Sequence, residues 1–205
     1  MNAMLKSSKQ FMPTYMLIAL NVAFYAYTSI ISGNFLVTGD DALTLYGQYN
    51  LIVLNGGYWQ LFTSMFVHVN IMHLAGNMLF LLIFGLRAEE MFSLEEYLLV
   101  YFLSGLSGNL ASLLLGPEMI SAGASGAIFG LFGACTVYVR RAIGQSIMSA
   151  LIFAFFLLLI SSGPEVNNLA HIGGLIVGVL IGYELAVTRR AATTHGFNYS
   201  FSTQG

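Results

Sequence analysis

The sequence predicts an all-α, polytopic membrane protein, and three observations support this fold class. First, 57% of the 205 residues are hydrophobic and only 8% are charged, whereas a soluble domain carries about a quarter charged residues. Second, several apolar runs approach the length of about 20 residues that a membrane-spanning helix needs. Third, these runs are continuous and lack the alternation of polar and apolar residues that an outer-membrane barrel requires.

Six apolar runs predict six transmembrane helices in one compact membrane domain over residues 13–190. The runs cover residues 13–32, 70–86, 95–115, 122–139, 146–162 and 168–187. Residues 1–12 are predicted to be a cytoplasmic N-terminal segment, and the polar residues 191–205 a disordered cytoplasmic tail. The fifth run is apolar around its whole circumference, which suits a helix that faces lipid.

The positions of the positive charges predict the orientation of the six spans. The chain has seven Lys and Arg residues, and with six spans all of them fall on one side of the membrane: Lys6, Lys9, Arg87, Arg140, Arg141, Arg189 and Arg190. By the positive-inside rule, both termini are then cytoplasmic. We therefore expect a multi-pass protein of the cell membrane, either a plasma membrane or an inner membrane.

Three chemically active side chains are predicted to share one depth in the membrane. His73, Ser125 and His171 each lie a few residues past the outer end of their span, on the order of 10 Å below the outer surface at about 1.5 Å per residue. Polar groups within spans are costly, so a nucleophile and a base at one height indicate chemistry. The alternative is that each is tolerated separately, since serine packs well between membrane helices.

Small residues provide a way for the fourth and sixth spans to meet. Gly126 and Gly130 form a G-x-x-x-G pair in span 4, and Gly174 begins a glycine stripe that follows His171 along span 6. Such stripes let helix backbones approach closely in lipid. If these faces pack, Ser125 reaches hydrogen-bond distance of His171, with Gly126 and Gly174 supporting the pair. The alternative is glycine packing without chemistry.

Span 2 offers a group of hydrogen-bond donors. His73 and Asn77 are four residues apart and therefore lie on one helical face. Acyl transfer forms a tetrahedral oxyanion that needs preorganised donors, and these two side chains, with the backbone N–H of Ser125, could supply them. His68 is roughly 140° around the helix from His73 by the 3.6-residue period. We expect it at the membrane interface, outside this group.

The sequence lacks the residue patterns that other catalytic and binding classes require. His68 and His73 do not have the H-E-x-x-H spacing of a zinc protease, so no metal site and no cofactor are expected. Asp40 and Asp41 are the only aspartates and fall in the first outer loop, which argues against aspartyl chemistry. The single cysteine, Cys135, is interpreted as core packing. No basic patch for nucleic acid is present.

These motifs resemble those of the rhomboid intramembrane serine proteases. The matching runs are H-V-N-I-M-H-L-A-G-N from His68 to Asn77, G-A-S-G from Gly123 to Gly126, and A-H-I-G-G from Ala170 to Gly174, with Gly178. The similarity extends from residue 13 to about residue 187, in the same order and topology. Three linked motifs in a six-span frame are a specific signal.

The resemblance implies roles for individual residues. The serine and histidine of the family's dyad, which works without an aspartate, correspond to Ser125 as nucleophile and His171 as base. His73 and Asn77 correspond to the residues that assist the oxyanion. The implied activity is cleavage of transmembrane protein substrates near the outer membrane face, with membrane lipids and no nucleic acid as partners. Two alternatives remain: a catalytically silent relative that binds and escorts membrane proteins, and a small transporter or channel.

Two positions depart from the family pattern. The Trp-Arg pair common in the first loop is Trp59-Gln60 here, so contacts of that loop are expected to differ. The tyrosine that often stacks on the catalytic imidazole is Phe129, which keeps the stacking and lacks the hydroxyl. Asn167 and Asn168, about one turn before His171, could substitute as polar supports, or could mark the wet end of the span.

The first loop, residues 33–67, has no Lys or Arg and is rich in aromatic residues, namely Tyr46, Tyr49, Tyr58, Trp59 and Phe62. Aromatic rings with a polar group favour the headgroup layer. We expect the loop to lie partly in the outer leaflet as a brace beside span 2, as the similar family element does. An ordinary flexible loop is the alternative.

Overall fold

The computed structural model of the chain describes residues 12–144 and 166–200, together with the single positions 146, 148 and 152. The helices whose bounds it gives are α1 (Pro13–Ser32), α2 (Asp40–Tyr46), α3 (Asn50–Leu54), α4 (Gln60–Thr63), α5 (Ile71–Glu89), α6 (Leu94–Ser112), α7 (Ser125–Ala142) and α8 (Asn168–Ser200). Strands β1 (Gln48–Tyr49) and β2 (Ile120–Ser121) pair antiparallel. Short 3-10 turns cover Ser64–Phe66 and Leu113–Leu115. The fold is thus essentially all-helical, as predicted.

Within the described residues, four helices are long and apolar enough to cross a membrane. They are Pro13–Ser32, Ile71–Glu89, Leu94–Leu115 and Asn168–Arg189. These helices confirm the prediction of a membrane protein and match four of the six predicted spans. The predicted fifth span, residues 146–162, lies outside the described residues except for three single positions. Six spans and the orientation of the termini therefore stay predictions.

The predicted fourth span corresponds to α7, which occupies the centre of the helix bundle. Every residue from Gly126 to Cys135 is buried, and α7 packs against α5, α6 and α8. A helix that is apolar on all sides needs such enclosure by other elements. The buried side chains of other elements in the same core cluster include Met65, Leu81, Tyr97 and Tyr101. Residues 126–135 of this helix are therefore enclosed by protein.

Glycines bring α7 and α8 into backbone contact. A Cβ atom added to Gly174 would lie 2.0 Å from the carbonyl oxygen of Gly126, and one added to Gly178 would lie 2.0 Å from that of Gly130. No side chain fits at such distances, so only glycine permits this approach. The faces in contact are those that the glycine stripes of the sequence predict.

The first loop folds into short helices that lie against the bundle. Strand β1 pairs with β2 in the register Gln48 to Ser121 and Tyr49 to Ile120, which joins the loop to the segment just before Ser125. Among the aromatic residues, Tyr58 and Trp59 are exposed, as a position against lipid headgroups requires. The depth of the loop in the membrane stays a prediction.

Gln60, the departure from the Trp-Arg pattern, is fully buried. Its Oε1 accepts a hydrogen bond from the backbone N–H of Tyr49 at 2.8 Å, and its Nε2 donates to the carbonyl of Thr44 at 2.7 Å. The glutamine therefore holds the end of α2 beside β1. It replaces a charged side chain by an uncharged one whose donor and acceptor are both used inside the loop.

The last helix, α8, continues past Arg190 to Ser200, and residues 201–205 lie outside the described part. The disordered cytoplasmic tail over residues 191–205 stays a prediction.

Candidate functional site

Ser125 and His171 meet between the starts of two helices. Ser125 is the first residue of α7, and His171 lies in the first turn of α8. The imidazole Nε2 of His171 is 2.8 Å from the hydroxyl Oγ of Ser125, within hydrogen-bond range. The histidine is buried, with 6% of its surface exposed. A serine hydroxyl bonded to a ring nitrogen is the arrangement in which the ring can accept the hydroxyl proton.

Phe129 lies one turn after Ser125 and stacks on the imidazole of His171. The ring centroids are 4.5 Å apart and the planes differ by 22°. The second ring nitrogen of His171, Nδ1, is buried and has no hydrogen-bond partner among the described residues. The orientation of the imidazole therefore depends on the Ser125 hydrogen bond and on packing against Phe129.

A cavity of about 700 Å³ opens beside this pair. The predicted site residues that line it are His73, Asn77, Ser125, Gly126, Phe129 and His171. They come from α5, α7 and α8, so the structure brings together side chains from the three predicted segments, as a shared depth requires. Gly174 contributes through the backbone contact between α7 and α8.

Asn70 fixes the start of α5, which carries His73 and Asn77. The side chain of Asn70 accepts a hydrogen bond from the backbone N–H of His73 at 2.8 Å and so caps the helix. Asn77 Nδ2 donates to the carbonyl of His73 at 3.0 Å, which leaves its second N–H free to point elsewhere. Because the amide carries two donors, Asn77 can keep this local bond and still serve a ligand in the cavity.

Gly123 permits a close approach of the loop before Ser125 to His73. Its φ of +128° is rarely adopted by residues with a side chain, and a Cβ atom there would lie 2.9 Å from His73 Cε1. The backbone N–H of Gly123 donates to the carbonyl of Ser64 at 2.9 Å. The first loop thus fixes the position of Gly123, two residues before Ser125, and Gly123 lies against the imidazole of His73.

The position of His68 corrects the sequence analysis. His68 is fully buried, and its ring packs edge-on against that of His73 with centroids 5.2 Å apart. The two histidines do not share one helix, because α5 begins only at Ile71 and the extended backbone at Asn70 separates them. Burial, with a smaller contribution from His73, lowers the pKa of His68 to about 3.

Asn109 was not identified from the sequence. It lies in α6, lines the cavity, and donates through Nδ2 to the carbonyl of Leu61 at 2.7 Å and to Ser64 Oγ at 2.9 Å. It therefore fixes Ser64, which in turn holds Gly123. An asparagine inside an apolar span is itself a signal of function, and that signal could have identified it.

Across the described residues, no three His, Cys, Asp or Glu side chains are grouped closely enough to hold a metal ion. The close pair His68 and His73 has no carboxylate or thiol beside it within that part of the chain. Cys135 is buried in α7 with its thiol toward the carbonyl of Phe84. The chemistry that these side chains offer is that of the hydroxyl and imidazole pair.

Comparison with known proteins agrees with these motifs. Residues 55–187 match the family model described as Rhomboid domain. The chain is 37% identical over 144 residues to RHOMBOID-like protein 6, mitochondrial, of Arabidopsis thaliana, which covers 67% of this chain and 47% of that protein. It is 34% identical over 192 residues to Rhomboid protease GluP of Bacillus subtilis (strain 168), covering 87% of this chain and 36% of that protein.

A further relative is matched over most of its length. Putative rhomboid protease YdcA of Bacillus subtilis (strain 168) is 36% identical over 141 residues, covering 66% of this chain and 71% of that protein. By contrast, the chain spans less than half the length of the Arabidopsis protein and of GluP. Likeness to those two therefore concerns only the part of each protein that aligns with this chain.

Proposed function

The chain belongs to the rhomboid family, and on that premise we propose that it is an intramembrane serine endopeptidase that cleaves transmembrane proteins near the outer membrane face. Ser125 is the nucleophile and His171 the base. His73, Asn77 and the backbone N–H of Ser125 stabilise the oxyanion. The cell membrane is the proposed location, and membrane lipids are the surrounding partners.

The observation that carries this proposal is the 2.8 Å hydrogen bond between Ser125 Oγ and His171 Nε2 at the edge of a 700 Å³ cavity. A serine and a buried histidine could each have a separate packing role. Their direct contact, at the edge of a cavity of this size, favours chemistry instead. Two relatives that are named as proteases add support.

The proposed reaction follows from the two bonded side chains. Ser125 Oγ attacks the scissile carbonyl carbon while its proton passes to His171 Nε2. The carbonyl oxygen gains the negative charge, which the donors of His73, Asn77 and Ser125 stabilise. When the tetrahedral intermediate collapses, the C–N bond breaks and His171 returns the proton to the leaving amine. Water, deprotonated by His171, then releases the acyl group from Ser125.

The substrate is a membrane-spanning segment that unwinds locally. Carbonyl groups of an intact helix are occupied by backbone hydrogen bonds, so a scissile bond must leave the helix before Ser125 can attack it. Helix-breaking or small residues near the cleavage point are therefore expected. A substrate with glycine at these positions should be cleaved faster than one with leucine.

The test replaces Ser125 with alanine in the purified protein in liposomes, with a tagged single-span protein as substrate. Cleavage should fall to background, since no nucleophile remains, and the thermal unfolding temperature should stay near that of the parent. Ser146→Ala is the control, because Ser146 lies outside the cavity lining. Retained cleavage in Ser125→Ala would refute the proposal.

Labelling of Ser125 separates the protease from a silent escort protein. A fluorophosphonate reagent forms a covalent bond with a serine only when a base activates its hydroxyl. We expect labelling of the parent at Ser125, located by peptide mapping, and none in His171→Ala. An unlabelled parent that still binds membrane proteins would favour the escort function.

A further inference from the structure

The side chain of Asn167 links the two segments that carry the proposed catalytic pair. Its Nδ2 donates to Ser121 Oγ at 2.7 Å and to Ser112 Oγ at 2.6 Å, and its Oδ1 accepts from the backbone N–H of Ala170 at 3.0 Å. Both donors and the acceptor of the amide are therefore used. One side chain thus joins α8, β2 and the end of α6.

Two of these three bonds end close to the pair along the chain. Ser121 lies in β2, four residues before Ser125, and is buried. Ala170 is the neighbour of His171 in the first turn of α8. The backbone N–H of His171 also faces the carbonyl of Asn167, at 3.4 Å. Asn167 therefore contacts the chain on the serine side and on the histidine side.

The third contact anchors this bridge in the bundle. Ser112 is fully buried at the end of α6, and its hydroxyl donates to the carbonyl of Gly108 at 2.9 Å. The carbonyl of Ser112 accepts from Asn50 Nδ2 at 2.8 Å, which connects it to the first loop. A buried network in which the members satisfy one another is rigid.

We propose that Asn167 is a positioning residue that sets the distance between Ser125 Oγ and His171 Nε2. This inference rests on the proposed protease function. Reacting groups must be held within a fraction of an ångström, and a displacement of about 1 Å can reduce a rate about a hundredfold. The bridge constrains that distance because it fixes the first turn of α8 against β2.

Helix capping alone does not explain the contacts of Asn167. Capping needs only an acceptor for the N–H of Ala170, and serine or aspartate would supply it equally well. The two Nδ2 bonds instead reach other elements, across 46 and 55 positions of the chain. A substitution that keeps the cap and removes the two donors therefore separates the two roles.

The discriminating variant is Asn167→Ser, whose short hydroxyl can cap the helix but cannot reach Ser112 and Ser121. We expect kcat to fall between about tenfold and a hundredfold, with KM unchanged and only a modest fall in the thermal unfolding temperature from the two lost hydrogen bonds. The rate of fluorophosphonate labelling at Ser125 should fall by a similar factor, because labelling needs the pair and no substrate segment. Asn55→Ser, at an exposed asparagine with a local bond to Leu51, is the matched control.

A double-mutant cycle with Ser121→Ala tests the bridge itself. If Asn167 acts through Ser121, the double variant should lose little more than Asn167→Ser alone, because the two changes remove one interaction. Additive losses would overturn the proposal. A kcat of Asn167→Ser equal to that of the parent would also overturn it. So would a loss of kcat that accompanies a lowered unfolding temperature and disappears when the assay is cooled.

Two results keep this inference distinct from the protease proposal. If Asn167→Ser does not fold, Ser121→Ala tests the same bridge from its other end: a lowered kcat supports the positioning role and a parental kcat overturns it. If the parent protein neither cleaves nor labels, the protease proposal fails. An active parent with an equally active Asn167→Ser refutes only the role of Asn167.

Discussion

At the scale of single residues, the orientation of His171 is unusual for a proposed catalytic base. In a Ser-His-Asp triad, a carboxylate bonds Nδ1 and holds the ring in the useful tautomer. Here Nδ1 of His171 is buried without a hydrogen-bond partner among the described residues. The imidazole is held instead by the hydrogen bond to Ser125 and by the stacked ring of Phe129. Packing against Phe129 thus takes over the orienting role that the carboxylate has in a triad.

This arrangement predicts the effect of changing Phe129. Phe129→Leu should reduce kcat about three- to tenfold, because an aromatic pair contributes about 0.5–1.5 kcal/mol beyond burial. Phe129→Tyr keeps the stacking and should retain most activity. Phe132→Leu, one turn on in α7 and outside the cavity lining, controls for general core damage. Steady-state cleavage rates provide the check, and equal losses in Phe129→Leu and Phe132→Leu would contradict it.

Asn77 gives a second test at this scale. Asn77→Ala removes a proposed oxyanion donor, and such a donor is typically worth about 2.7–4 kcal/mol of barrier, or a 10²- to 10³-fold fall in kcat. KM should change little, since the donor acts in the transition state. Asn55→Ala removes the same kind of bond to a carbonyl four residues earlier and should leave kcat unchanged. An unaltered kcat in Asn77→Ala would end the assignment.

His68 predicts how stability depends on pH. Its pKa of about 3 in the folded protein lies below the unfolded value of about 6.5, so the unfolded state binds more protons between these values. The stabilisation is complete above pH 6.5 and is lost as the pH falls toward 3. Lowering the pH from 7 to 5 should cost about 2 kcal/mol through this group.

The measurement compares thermal unfolding of the parent and His68→Gln in detergent at pH 7 and pH 5. Glutamine is polar and does not titrate, so the variant should lose less stability on acidification than the parent. Identical pH dependence in the two proteins would show that His68 is not a buried neutral histidine. Both proteins share the other histidines, so the contribution of those residues to the pH dependence of stability cancels in the comparison.

At the scale of elements, the contact between α7 and α8 holds the site together. Both helices begin at the cavity, with Ser125 first in α7 and His171 in the first turn of α8. Since their backbones touch at Gly174 and Gly178, any separation of the helices moves the hydroxyl away from the imidazole. The packing that stabilises the fold thus also fixes the proposed chemistry.

Gly178→Ala tests this dependence two turns away from His171. The added methyl group would lie 2.0 Å from the Gly130 carbonyl, and such overpacking costs about 1–3 kcal/mol. We expect a lower unfolding temperature together with slower labelling of Ser125. Gly76→Ala is the control for stability: it meets no atom within 4 Å and should stabilise α5 by about 0.5–1 kcal/mol. Parental stability in Gly178→Ala would contradict the close contact.

The elements also show what the sequence could not indicate. Apolar runs and glycine spacing predict α1, α5, α6 and the contact between α7 and α8, because period and composition act locally. The first loop depends instead on amide bonds between distant segments, such as Gln48 Nε2 to the carbonyl of Asn109 at 2.8 Å. No local pattern encodes such a partner. The position predicted for His68 was wrong for a similar reason, because the cap at Asn70 starts α5 only after His68.

At the scale of the whole molecule, the charges and the cavity make one joint prediction. If all Lys and Arg residues face the cytoplasm, the end of α5 at Arg87 is inside and the first loop, with its two aspartates, is outside. The cavity includes Asp40 of that loop in its lining, so with this orientation it would lie on the outer side. The side of the membrane on which the cavity lies and the orientation of the spans are therefore linked predictions, and one labelling experiment tests both.

Single cysteines report the two sides of the membrane. In a Cys135→Ala background, Asp41→Cys in the first loop should react with a membrane-impermeant maleimide in intact cells. Glu90→Cys, at the other end of α5, should react only after permeabilisation, because maleimide cannot cross the bilayer to reach it. Both positions are exposed, so access to the reagent depends on the side of the membrane. The reverse pattern would place the cavity on the cytoplasmic face and contradict cleavage at the outer one.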